Sequence, residues 1–146
     1  MTGHLTVGEY RKLRGQEPKP NKYHAQRTWV CKGCGRMHAD DGGEANCHCG
    51  AGFIMFHSKR EAEYYLELRM MQRINVARGI VLQPAFEFNI GGKKMFTYKA
   101  DFSWIDTGTG FLHIVDVKSV ATRTPLYRLK KKIIEASHGI KIEEVF

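Results

Sequence analysis

Two stretches decide the reading of this chain: Lys99-Ala100-Asp101-Phe102-Ser103-Trp104-Ile105-Asp106 and Ile114-Val115-Asp116-Val117-Lys118. Both alternate or run apolar with β-branched and aromatic residues, so both predict strands. Thr107-Gly108-Thr109-Gly110 between them predicts a short Gly-rich turn. A four-residue loop pairs Asp106 with Phe111, and counting back in that register sets Asp101 directly across from Asp116. Side chains alternate with period two, so Lys118 projects from the same face as Asp116. Directly opposed residues lie about 4.5–5.5 Å apart at Cβ, and like charges there destabilise a sheet. A cation between the two carboxylates resolves the conflict, and hard oxygen ligands point to Mg²⁺ or Mn²⁺. A loop one residue longer or shorter would send the two aspartates to opposite faces.

The chain has 146 residues, enough for one compact domain and a small appendage, and 42% hydrophobic residues, enough to bury a core. No stretch is long and apolar enough to cross a membrane, and Met1-Thr2-Gly3-His4-Leu5 shows no signal-peptide core, so a cytoplasmic protein with no membrane partner is expected. The net charge of +8 favours an anionic partner, for which nucleic acid is the usual case.

All four cysteines fall in one window, as Cys31-Lys32-Gly33-Cys34 and Cys47-His48-Cys49. Clustered cysteines in an intracellular chain read as a metal site, and two close pairs match a four-thiolate Zn²⁺ ribbon with a structural role. Gly33, Gly35 and Gly50 allow tight knuckles. The second pair has one intervening residue instead of two, so His38 or His48 is an alternative ligand. Two disulfides or four free thiols are the other readings.

Three regions follow: residues 1–26, a basic N-terminal arm; 27–53, the zinc-ribbon-like module with the loop Asp40-Asp41-Gly42-Gly43; and 54–146, the main domain. In the arm, Leu5, Val7, Tyr10 and Leu13 suit a short helix ended by Pro18 and Pro20, and its basic residues suit either a solvated segment or phosphate contact. In the main domain, Ser58-Lys59-Arg60-Glu61 opens a helix with a capping-box pattern. Ala62, Tyr65, Leu66 and Met70 should face its core, and Gly79 should end it. Ile80–Phe88 reads as a strand disturbed at Pro84, and residues 89–94 as a turn. Thr124-Pro125 begins a second helix, with Leu126, Leu129, Ile133 and Ala136 on its buried side and Lys130, Lys131 and Lys132 partly outside. Gly139 ends it, and Ile140–Val145 makes a last strand. The fold class is α/β in the order α-β-β-β-α-β, with a mixed sheet flanked by helices.

That order, with an Asp at one strand end and Asp-x-Lys on the next strand, resembles the PD-(D/E)xK nuclease superfamily and its restriction-endonuclease-like core. The likeness is greatest to small phage-encoded nuclease-like proteins of Holliday-junction-resolvase type. It is carried by Phe56-His57-Ser58-Lys59-Arg60-Glu61-Ala62, Ala100-Asp101-Phe102, Asp116-Val117-Lys118 and the helix start Thr124–Lys130, across residues 54–146. Tyr98-Lys99-Ala100 precedes Asp101, so the proline of the nominal signature is absent. The resemblance implies that Asp101 and Asp116 are the principal Mg²⁺ (or Mn²⁺) ligands, with the Val117 carbonyl as a further ligand. Glu61 completes the acidic cluster directly or through water. Lys118 orients the attacking water or stabilises phosphate charge, and Gln83 is a further contact. The catalytic set is then Glu61, Asp101, Asp116 and Lys118.

The chemistry suits phosphodiester hydrolysis, which needs charge neutralised as an oxyanion develops and a water of lowered pKa. Each residue also has a structural reading. Glu61 can serve as a helix cap, Asp101 can bond a turn, and Asp116 can pair with Lys118 or Lys99. Arg123, Arg128, Lys130 and Lys131 are the candidate phosphate contacts, or else a solvated helix face. The expected function is therefore a Mg²⁺-dependent endonuclease for DNA, selective for branched structures, phage-encoded and acting in the host cytoplasm as a homodimer. The alternatives are a non-catalytic zinc-containing nucleic-acid-binding module and a structural adaptor.

Overall fold

The structure is a computed structural model, described for residues 26–40 and 47–146. The expected basic arm up to residue 25 and the Asp41-Gly42-Gly43 part of the loop lie outside the described residues.

Strands β1 (Thr28–Cys31), β2 (Met37–Ala39) and β3 (Phe53–Phe56) form an antiparallel sheet in the order β2-β1-β3. The β1–β2 link is the first cysteine knuckle, closed by the Gly35 N–H donating to the Cys31 carbonyl at 3.0 Å. Helix α1 (Lys59–Arg73) starts where expected: Ser58 is its N-cap and accepts from the Glu61 N–H. It ends earlier than expected. Asn75 supplies the left-handed turn (φ 59°), and Gly79 (φ 61°) serves a bulge in strand β4 (Ala77–Leu82) instead. Both sites need positive φ, so the glycine alone could not tell a helix end from a bulge.

The faces of α1 are also distributed differently. Ala62 and Leu68 are fully buried, whereas Met70, expected in the core, is 67% exposed. The helix is wedged between two sheets. Tyr65 packs on Phe56 of β3, and Tyr64 on Phe102 of the main sheet. Two partners spread its apolar contacts around the cylinder and blur the single stripe that sequence periodicity assumes.

The expected Ile80–Phe88 strand is two strands. Chain direction changes at Gln83 (φ 51°) and Pro84, giving β4 and a separate hairpin of β5 (Ala85–Ile90) and β6 (Lys93–Lys99). The turn is only Gly91-Gly92, both with positive φ, as a two-residue hairpin turn requires. Strands β7 (Phe102–Asp106) and β8 (Leu112–Val117) follow, then a 3₁₀ turn (Val120–Thr122), helix α2 (Pro125–His138) and β9 (Ile142–Val145). The main sheet has the order β4-β7-β8-β9; its first three strands are antiparallel and β9 runs parallel to β8. The mixed α/β order of helix, three strands, helix, strand is therefore present, with the β5–β6 hairpin inserted after the first of those strands.

The sheet buries both faces by simple alternation. Phe102, Trp104, Val115 and Val117 pack with Ala62 and Leu68 of α1, together with Val30 and Phe56 of the cysteine module. Ile114 and Ile142 pack with Ile134 of α2 and with Tyr98 and Ala100. Thr124 caps α2 by accepting from the Tyr127 N–H, Pro125 is its first residue, and Gly139 (φ 64°) terminates it. Its expected buried stripe is wrong. Leu126 and Leu129 are 60% and 56% exposed and Ala136 is exposed, whereas Ile134 is fully buried and Tyr127 and Lys131 turn inward. The polar partners of those two residues decide the rotation. No helix among the described residues is long and apolar enough to cross a membrane.

Candidate active site

The β7–β8 ladder brings the two aspartates to one end of the sheet. Phe102 pairs with Val115 and Ile105 with Leu112; Asp101 follows the last pair as an irregular step, its N–H donating to the Val115 carbonyl at 3.0 Å, while Asp116 is the next residue of β8. The Asp106 N–H donates to the Phe111 carbonyl at 2.9 Å, as a four-residue loop requires. At Asp101 the ladder continues through a side chain. Its backbone carbonyl accepts from the Gln83 N–H at 2.9 Å, while its Oδ2 accepts from the Val117 N–H at 2.7 Å. One carboxylate oxygen is thereby fixed. Val117, the residue expected to offer a carbonyl, is held by that bond between Asp116 and Lys118.

Asp116 is fully buried. The hydroxyls of Tyr98 and Tyr127 both donate to its Oδ2, the latter at 3.1 Å. Burial first, and the neighbouring Asp116 carboxylate next, raise both phenol pKa values, so both remain donors. Oδ1 has no hydrogen-bond partner among the described residues. A buried carboxylate oxygen left bare is costly, so this atom is the one available to a cation. The Lys118 ammonium lies 3.6 Å from Asp116 Oδ1 and 4.0 Å from Asp101 Oδ2, and 4.8 Å above the Tyr127 ring. Asp101, Asp116 and Lys118 thus share one face of the sheet. Burial pushes the Asp101 carboxyl up to about 7; Lys118 opposes the rise, and Asp116 and Glu61 add to it.

Glu61 comes from α1, which packs on the other face, and meets Asp101 around the end of the sheet. The two line a cleft of about 260 Å³ with Gln83, Ile54, Phe56 and Leu82. The Glu61 carboxylate is engaged at the helix start, accepting from Ser58 Oγ at 3.0 Å and the His57 N–H at 3.2 Å. It therefore faces the same space as Asp101 while also capping α1.

Behind Asp116 lies a polar group that sequence reasoning missed. Tyr127 also donates to Glu144 Oε1 at 3.2 Å, and Lys131 donates to the same oxygen at 3.1 Å. Arg123 pairs with Glu144 Oε2 at 2.9 Å. Burial raises the Glu144 pKa, but Lys131 and Arg123 outweigh it and hold this carboxyl below its ordinary range. Asp116 and Glu144 are neighbours because β8 and β9 run parallel in that register. Nothing in the sequence placed Tyr98, Tyr127 and Glu144 together, since they come from three separate elements. Of the four candidate phosphate contacts, Arg123 and Lys131 are tied to Glu144, Lys130 sits 5.3 Å above the Phe96 ring, and Arg128 is exposed.

The cysteines form the second centre. The sulfurs of Cys31, Cys34, Cys47 and Cys49 lie within 4.8 Å of one another, the only such group of three or more His, Cys, Asp or Glu ligands among the described residues. All four are free thiols; the closest pair, Cys31 and Cys49, is 3.1 Å apart, well beyond the about 2.05 Å of a disulfide. A tetrahedral centre with metal–sulfur bonds of about 2.3 Å has edges of about 3.8 Å, so this set could hold a metal such as zinc after a small expansion. A Cβ at Gly33 would lie 3.0 Å from Cys49 Sγ and 2.9 Å from the Ala51 Cβ, so the knuckle requires glycine there. The Cys49 thiol lowers the pKa of Cys31, and the Arg36 N–H lowers that of Cys34, while the neighbouring thiols push Cys47 up to about 12, so the four share their protons until a metal displaces them. His38 packs edge-on against Phe53 and lies outside the sulfur group, as does His48.

A family model described as "Protein of unknown function (DUF1064)" matches residues 50–143. The chain belongs to that family. The DUF1064 region contains Glu61, Gln83, Asp101, Asp116 and Lys118 and begins just after the last cysteine. Among curated proteins and solved structures, nothing matches.

Proposed function

We propose that this protein is a divalent-metal-dependent nuclease that hydrolyses DNA phosphodiester bonds, with branched DNA as its substrate. The observation that carries the reading is the pair of cross-strand carboxylates, Asp101 and Asp116, on one face with Lys118 beside them. A buried Asp116 Oδ1 with no hydrogen-bond partner, beside a second carboxylate at Asp101, is an arrangement that a divalent cation would stabilise. The helix, three strands, helix, strand order supports a restriction-endonuclease-like core of PD-(D/E)xK type. Selectivity for branched DNA, a phage origin and a homodimer rest on the family resemblance alone.

Asp101 and Asp116 would hold Mg²⁺ or Mn²⁺, with Glu61 reaching it through water from its cap position. Such an ion lowers the pKa of a bound water and offsets charge on the phosphate. Tyr98 and Tyr127 fix Asp116 Oδ2 and so aim Oδ1 at the shared space. Lys118, close to both acids, supplies an ammonium to a phosphate oxygen as negative charge develops. Its ring contact with Tyr127 limits where that ammonium can sit.

A second reading has a specific observation behind it. Lys118 already lies within 4.0 Å of both carboxylates, which would neutralise them in a non-catalytic nucleic-acid-binding module. Cleavage of a labelled four-way junction with Mg²⁺ or Mn²⁺ separates the two. The nuclease reading predicts cutting by the wild type and a loss of more than about 100-fold in Asp116→Asn with binding retained. Junction binding by the wild type with no cutting under either ion would favour the second.

A further inference from the structure

The parallel register of β8 and β9 sets Glu144 beside Asp116, two acids on neighbouring strands. Such strands lie about 4.8 Å apart, and like charges facing each other there destabilise a sheet. The repulsion is answered on the Glu144 side. Lys131 donates to its Oε1 at 3.1 Å, and the Arg123 Nε lies 2.9 Å from its Oε2. Replacing a buried charged group of this kind by apolar residues is often neutral for stability, so charge balance alone does not explain the acid. What Glu144 adds is a hold on Tyr127, whose hydroxyl lies 3.2 Å from Glu144 Oε1 and 3.1 Å from Asp116 Oδ2.

Tyr127 meets the candidate site twice. Its hydroxyl reaches the Asp116 carboxylate, and the Lys118 ammonium lies 4.8 Å from its ring centroid. Its backbone is set in the first turn of α2, where the Tyr127 N–H donates to Thr124 Oγ1 at 3.2 Å. Its hydroxyl has one proton for two carboxylates, so its place depends on both. Lys131 follows Tyr127 by four residues on α2, which brings the ammonium and the phenol to the same Glu144 oxygen. Arg123, just after the 3₁₀ turn, closes the group from the other side.

We propose that Glu144 is a positioning residue of the divalent-ion site and acts through Tyr127. Lys131 and Arg123 hold Glu144, Glu144 holds the Tyr127 hydroxyl, and Tyr127 sets both the Asp116 carboxylate and the place of the Lys118 ammonium. This role rests on the nuclease reading, because it needs an ion at Asp101 and Asp116. It also gives Arg123 and Lys131 a task at the site other than phosphate contact.

The test is the Mn²⁺ affinity of the full chain without DNA, read from the EPR signal of free Mn²⁺, with Asp116→Asn as the blank for binding elsewhere. Glu144→Ala should weaken binding about tenfold, as loss of a residue that orients a metal ligand does, and Tyr127→Phe by a similar factor. Glu144→Gln loses the charge and keeps an acceptor for the hydroxyl, so it should retain most of the affinity. In the Tyr127→Phe background, Glu144→Ala should cost nothing further. Lys131→Met keeps Glu144 in place and gives a second arm. Charge alone predicts tighter Mn²⁺ binding when a nearby cation is removed, whereas positioning predicts weaker binding. Equal losses in Glu144→Gln and Glu144→Ala, a full further loss in the Tyr127→Phe background, or tighter binding by Lys131→Met would overturn the positioning role and leave the ion site standing. A parent that binds no more Mn²⁺ than Asp116→Asn would overturn the role and the nuclease reading together.

Discussion

Asp116 gathers the polar chemistry of this molecule at one buried carbon. Two tyrosines occupy one carboxylate oxygen and leave the other bare. Asp101 has the complementary arrangement, with Oδ2 committed to the Val117 N–H and its carboxyl pushed up to about 7. The sign of its contribution follows. Its folded pKa lies above the ordinary value of 3.8, so the folded state binds the extra proton. That contribution to stability is full below about pH 4 and is lost as pH rises through about 7. Without divalent ions, the wild type should therefore lose thermal midpoint relative to Asp101→Asn between pH 5 and 8, and Mn²⁺ at pH 8 should restore it. Parallel pH profiles for the two proteins would contradict the assignment. That the two acids come to one end of the β7–β8 ladder was legible because a short loop fixes its register; the irregular step at Asp101 was not. Tyr98, Tyr127 and Glu144 were not, because they arrive from three elements whose relative rotation no local pattern encodes.

Helix α2 shows where pattern reading fails. Its strongest apolar stripe, Leu126-Leu129-Ile133-Ala136, points mostly to solvent, while the face carrying Tyr127, Lys131 and Ile134 packs inward. Bonds from Tyr127 to the buried Asp116 and from Tyr127 and Lys131 to the half-buried Glu144 outweigh the burial of two leucines, since an unpaired buried carboxylate costs more than an exposed Leu side chain. Ile134→Ala should therefore cost about 2–5 kcal/mol, and Leu129→Ala about 0.5 kcal/mol or less, by denaturant unfolding. The reverse order would mean the helix is turned the other way. The caps of α2 were readable because Thr-Pro and Gly act locally. The break at Gln83-Pro84 was half-readable: proline marked the disturbance, but the hairpin that follows depends on a left-handed Gln83 that sequence does not announce.

Across the whole molecule, the cysteine module and the main domain share one core. Val30 and Phe56 pack with Phe102 and Val115, and Arg69 of α1 donates to the Gly33 carbonyl at 3.3 Å. Strand β3 links the two centres: Phe53 pairs with Cys31, and Ile54 and Phe56 line the cleft with Glu61 and Asp101. Metal removal should thus act on the entire fold. Chelating zinc from the loaded protein should lower a single unfolding transition seen alike by far-UV and tryptophan signals, with Trp29 reporting the module and Trp104 the main sheet. Two separate transitions would contradict the shared core. The metal-ligand spacing was legible from four cysteines alone. The union of module and domain was not, because it depends on which face of α1 meets which sheet.

The central claim is that Asp101 and Asp116 share a divalent ion beside Lys118. The most direct measurement is anomalous scattering from crystals soaked in Mn²⁺. The account predicts a peak within about 2.0–2.6 Å of a carboxylate oxygen from each aspartate, lost in Asp116→Asn. No peak there, with the Lys118 ammonium bridging both acids at high Mn²⁺, would contradict it.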